Sequence, residues 1–118
     1  MEDIFTINVD EEAFEKIVNG KKTIHLSVNN KKNKVFAVGN QISFIVKTEE
    51  GDKTQKAVIE NLFYFNTISE AIDMLGKEQC GFKPSATFEK ASDVFLSEVS
   101  YEDIEKYGIV AIVFKTEE

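Results

Sequence analysis

The sequence contains no arginine and no tryptophan, and only one cysteine, one proline and one histidine among its 118 residues. A lone cysteine, Cys80, cannot form an internal disulfide, and with the lone His25 it falls short of the four nitrogen and sulfur ligands of a usual structural zinc site. No metal or cofactor is therefore expected. Without arginine, a contact to phosphate or a base must use lysine point charges, side-chain amides and backbone rather than a planar bidentate fork. No apolar run approaches the roughly 20 residues that span a bilayer. Met1 to Asp10 lacks both a basic start and an apolar signal core, so membrane contact is not expected and a cytoplasmic location is.

What is present reads as one folded domain over residues 1–118. An apolar fraction of 42%, including ten phenylalanines, is more than a disordered chain carries, and the length suits a single core. The formal net charge is −7, yet the stretch from Lys16 to Lys34 holds six lysines and no carboxylate. That stretch is +6 and the remainder −13. A chain so acidic outside one segment is unsuited to a broad grip on a polyanion, so nucleic-acid contact, if made, is local and salt-sensitive. Abundant Lys, Asn, Ile and Phe without Arg also suggests an AT-rich, bacterial coding sequence.

The pattern along the chain is strand, helix, about four strands, helix, irregular segment, helix, strand. Ile4 to Val9 reads as a strand. Asp10 then caps a short helix that presents Phe14, Ile17 and Val18 on one face and stops at Gly20. Thr23 to Val28 alternates as a strand, a polar loop from Asn29 leads into Lys34 to Val38, and Gly39-Asn40 turns. Gln41 to Lys47 and Thr54 to Phe65 form a hairpin around a loose loop at Glu49 to Asp52. Ser69 to Leu75 reads as a helix ended by Gly76. Lys77 to Val99 has no regular period beyond a short helical turn, and Ser100 to Tyr107 is a helix with Ser100 and Asp103 at its cap. The apolar run Ile109 to Phe114 should be buried on both faces. This is an α+β chain: a small, partly closed, mostly antiparallel β-barrel with two or three helices on its side.

Within Gly20-Lys21-Lys22-Thr23-Ile24-His25-Leu26-Ser27, alternation puts Ile24, Leu26 and Val28 toward a core, and Thr23, His25 and Ser27 on the opposite face with the lysine pair at its mouth. A helix ending in Gly-x-Lys-Thr before a strand, then Val38-Gly39-Asn40-Gln41-Ile42-Ser43-Phe44, and a chain closing on Tyr107-Gly108-Ile109-Val110-Ala111-Ile112, resembles the ASCH domain of the PUA-like superfamily over nearly the whole length. The resemblance implies a small PUA-like barrel with a cleft for RNA or a nucleotide-like ligand. Some small bacterial members are similar enough to imply an amidohydrolase acting on N4-acylated cytidine, with the motif lysine, here Lys22, as a catalytic residue. The hydroxyl-bearing residue of those enzymes falls at His25, the arginine after the strand is replaced by Ser27, and Glu78 is the nearest candidate for the downstream carboxylate.

Each candidate also has a plainer reading. Lys21 and Lys22 complement the dipole of the preceding helix. His25 serves equally as a satisfied strand residue, and Lys31, Lys32 and Lys34 are as easily a solvated turn as a phosphate contact. The consecutive aromatics Phe63, Tyr64 and Phe65 could stack on bases, but in the plainer reading Phe63 and Phe65 pack in the core and only Tyr64 is left free. Cys80 reads as a small buried residue.

The leading expectation is nucleic-acid binding, to RNA or a nucleotide-like molecule, through a cleft edged by Lys21, Lys22, Thr23 and His25 and flanked by Lys31, Lys32 and Lys34. The alternatives are an amidohydrolase on an acylated cytidine-type nucleoside, using Lys22, His25 and Glu78, and a protein-interaction adaptor that presents the acidic surface.

Overall fold

The computed structural model describes residues 4–30, 36–82, 87, 89, 90, 93, 95, 96 and 99–117. Five strands, β1 (Ile4–Asn8), β2 (Ile24–Val28), β3 (Gln41–Thr48), β4 (Gly51–Phe65) and β5 (Ile109–Thr116), form one mixed sheet in the order β1-β3-β4-β5-β2. β1 runs parallel to β3, and the other three pairings are antiparallel. With helices α1 (Glu11–Val18), α2 (Ile68–Leu75) and α3 (Tyr101–Tyr107), the sheet makes an α+β half-barrel.

Local chemistry fixes the helix starts. The side chains of Asp10, Thr67 and Ser100 accept the amides of Ala13, Glu70 and Asp103, each satisfying one donor that the first turn leaves over. Gly20, at φ +78°, takes the left-handed step that ends α1 and turns the chain toward β2.

The sheet is buried on both sides, and β5 is the reason. Ile109 and Ala111 face a core with Ile24, Leu26, Val28, α2 and α3, whereas Val110, Ile112 and Phe114 face a second core with Ile17 of α1, Ile42, Phe44, Ala57 and Ile59. Removing such side chains from water contributes about 1.5–3 kcal/mol each, which explains an unbroken apolar run in one strand.

Three segments differ from the sequence expectation. The β3–β4 connection is a tight turn, because Thr48 pairs with Gly51 across Glu49-Glu50, and Thr48 Oγ1 donates to Gly51 O at 2.6 Å. Phe36 to Val38, the described part of the expected Lys34 to Val38 strand, is not strand: the Asn40 side chain accepts the Ala37 amide at 2.7 Å, and Gly39-Asn40 turns as expected. In the segment expected to be irregular, Glu89, Lys90, Asp93, Phe95 and Leu96 are helical, and Phe95 is buried in the α2 and α3 core. No helix of the described residues is long and apolar enough to cross a membrane.

Candidate functional site

The junction between α1 and β2 builds the candidate site. After Gly20, the amides of Lys21 and Lys22 both donate to Lys16 O, at 2.9 and 3.0 Å, so the chain folds back over the end of α1. The amides of Thr23 and Ile24 donate to Gln79 O at 3.0 and 2.9 Å, which docks the start of β2 on the turn that follows α2. Thr23 O accepts from Phe114 N, tying the junction to β5. Lys21 is left exposed. Lys22 is only 9% exposed, and its aliphatic stem lies against Gly81.

β2 shows the alternation its sequence requires. Ile24, Leu26 and Val28 enter the α2 and α3 core, and His25 and Ser27 take the other face. There the His25 ring meets Phe44 edge-on, and its Nδ1 is buried with no hydrogen-bond partner among the described residues. Burial, reinforced by the charge of Lys22, pushes the His25 pKa down to about 3. His25 is therefore a neutral imidazole at physiological pH, able to exchange a hydrogen bond but poorly matched to proton transfer. Asn29, next on this face, carries a second buried and unpartnered atom, Oδ1.

The register adds Tyr64 to the same face. Ser27 and Tyr64 both pair with Val110, and His25 and Leu62 both pair with Ile112. Residues opposite one another in a ladder share a face, so Tyr64, 60% exposed, stands two strands, about 10 Å, from Ser27. Phe65 packs in the α2 and α3 core as expected, but Phe63 is partly exposed, against expectation.

Of the residues expected from sequence, Lys21, Lys22, Thr23 and His25 come together at the junction. Glu78 is nearby in the chain turn after α2, with its side chain exposed and its carbonyl accepting from the Gly81 amide. Lys31, Lys32 and Lys34 lie outside the described residues. Sequence reasoning missed Gly81 and Lys16, whose Nζ donates to Gly81 O at 2.8 Å. A spacing of 65 residues left no local signal for that contact. Among the described residues no cluster of three or more His, Cys, Asp or Glu could hold a metal ion. A separate surface cleft between α1 and the β3–β4 turn, about 450 Å³ and lined by Glu11, Glu15, Glu49, Glu50 and Lys53, includes none of the predicted site residues.

This mixed five-stranded half-barrel is the fold of an ASCH protein of known structure. The ASCH protein of Zymomonas mobilis superposes with a TM-score of 0.66 at 14% identity, over 95% of this chain and 66% of that one. The hypothetical protein PH0355 gives a TM-score of 0.82 at 25% identity, over 98% of this chain and 100% of that one. Protein PF0455 of Pyrococcus furiosus gives 0.76 at 26% identity, over 98% and 99% of the two chains. No family model and no curated protein matches the chain in sequence.

Proposed function

We propose that this ASCH-fold chain is a cytoplasmic nucleic-acid-binding module that takes RNA or a nucleotide-like ligand at the face edged by Lys21, Lys22 and Thr23. The observation that carries the reading is a nearly buried lysine, Lys22, near enough to His25 for its charge to act on that ring, beside the exposed Lys21 in an otherwise acidic protein. Lys21 and Lys22 supply positive charge for a phosphate or carbonyl oxygen. Tyr64, exposed on the same face as Ser27, supplies a surface on which a base can stack. Lys31, Lys32 and Lys34, outside the described residues, add three further positive charges to the same stretch of sequence. A −13 remainder limits contact to a few nucleotides, so affinity should be modest and fall steeply with salt.

The test is a titration of short RNAs and nucleosides, followed by tyrosine fluorescence and thermal shift across a salt series. Binding should weaken with salt and with Lys21→Glu and Lys22→Glu. Insensitivity to both rejects the reading.

A second reading, amidohydrolysis of an N4-acylated cytidine-type nucleoside, draws support from the burial of Lys22, since a desolvated lysine is a suitable catalytic base. Against it stands His25, which at a pKa of about 3 cannot serve Lys22 as a proton relay near neutrality. Release of cytidine by the unmutated protein, lost in Lys22→Ala, would favour this reading over the first. The acidic cleft near Glu49 and Glu50 keeps an adaptor role as the third outcome, detected as binding of a basic peptide that survives charge reversal at Lys21 and Lys22.

A further inference from the structure

Two lysines from the end of α1 converge on one peptide. Lys16 Nζ donates to Gly81 O at 2.8 Å, and the stem of Lys22 lies so close to Gly81 that a Cβ built there would stand 2.9 Å from Lys22 Cδ, 3.4 Å from Cε and 3.5 Å from Cγ. Gly81 also has φ +92°, a conformation that other residues adopt only with strain.

The turn that carries Gly81 is itself held. Its amide donates to Glu78 O at 3.0 Å, the Phe82 amide donates to Lys77 O at 2.9 Å, and Gln79 O receives the amides of Thr23 and Ile24. A side chain added at Gly81 would therefore displace the flexible stem of Lys22 more readily than the backbone.

We propose that Gly81 and Lys16 are positioning residues for Lys22. Gly81 provides the surface along which the Lys22 methylenes lie, and Lys16 anchors the Gly81 peptide that forms that surface. The functional weight of this proposal rests on Lys22 as a ligand contact, but its geometric content does not. It also divides the basic stretch. The Lys16 ammonium is committed to Gly81 O and, at 3.3 Å, to Glu12, so its role in the stretch is to brace the Gly81 turn.

The test compares acetylation of Lys22 and Lys21 under limiting acetic anhydride, read by peptide mass spectrometry, in the unmutated chain and in Gly81→Ala, Lys16→Met and Lys16→Arg. Near-UV circular dichroism establishes that each variant is folded. Lys22 should react slowly relative to Lys21 in the unmutated chain, and the ratio should rise about threefold or more in Gly81→Ala and Lys16→Met as the stem leaves its buried position. Lys16→Arg, which keeps a donor for Gly81 O, should retain the unmutated ratio. An unchanged ratio in folded Gly81→Ala and Lys16→Met overturns the proposal; if Gly81→Ala does not fold, the Met and Arg pair decides alone. Binding of a fluorescein-labelled RNA hexamer should fall in the same two variants. If the unmutated chain binds no RNA, the functional reading fails while the acetylation ratio still decides the positioning claim.

Discussion

The imidazole of His25 meets the ring of Phe44 edge-on, with centroids 6.0 Å apart and planes at 64°, and Phe44 in turn lies 4.7 Å from Phe114. A strand position that reads as polar is thus folded against an aromatic core. With a pKa of 6.5 when unfolded and about 3 when folded, His25 binds a proton in the unfolded chain first. Stability should be unaffected by this group above pH 6.5, and should fall by up to about 1.4 kcal/mol per pH unit on acidification toward pH 3. Urea unfolding across that window should give a shallower acid slope for His25→Leu than for the unmutated chain. Equal slopes would mean that His25 is not buried in its neutral form.

Cys80 should be inert while the chain is folded. Burial pushes its thiol up to about 11, with the charge of Lys22 acting in the opposite direction. Iodoacetamide at pH 7.5 should alkylate it about a hundredfold more slowly than an exposed thiol, and unfolding in urea should abolish the difference. Rapid labelling of the native chain would contradict the core environment described.

The two sides of the His25 face should respond differently to truncation. Ile112 is fully buried opposite His25, so Ile112→Ala should cost about 2–5 kcal/mol in chemical unfolding. Tyr64 is largely exposed, and Tyr64→Ala should change stability by no more than about 0.5 kcal/mol. The same change should weaken RNA binding by about 1–3 kcal/mol if a base stacks there. Unaltered affinity would remove Tyr64 from the ligand surface.

The legible parts of the fold were those governed by short-range chemistry. The Asp10 and Ser100 caps, the Gly20 stop, the alternation of β2 and the double burial of β5 follow from period and capping, which act within a few residues. The tight Glu49-Glu50 turn was hidden because neither residue is a usual turn former. Register also lay beyond sequence reading: it is a three-dimensional pairing that puts Tyr64 on the face of Ser27 and brings β1 parallel to β3. At the site, the lysine pair and His25 could be read from a motif and an alternation. The contribution of Gly81 could not, because a glycine at a distant turn acts by the side chain it does not have.

The most direct measurement is a titration of 15N-labelled protein with a short single-stranded RNA at low salt, followed by amide chemical shifts. Binding at the lysine-edged face predicts the largest changes at Lys21 to Ser27 and at Gln79 to Phe82, diminished by added salt and by Lys22→Met. An unchanged spectrum, or shifts confined to the acidic cleft around Glu11, Glu15, Glu49 and Glu50, would contradict it.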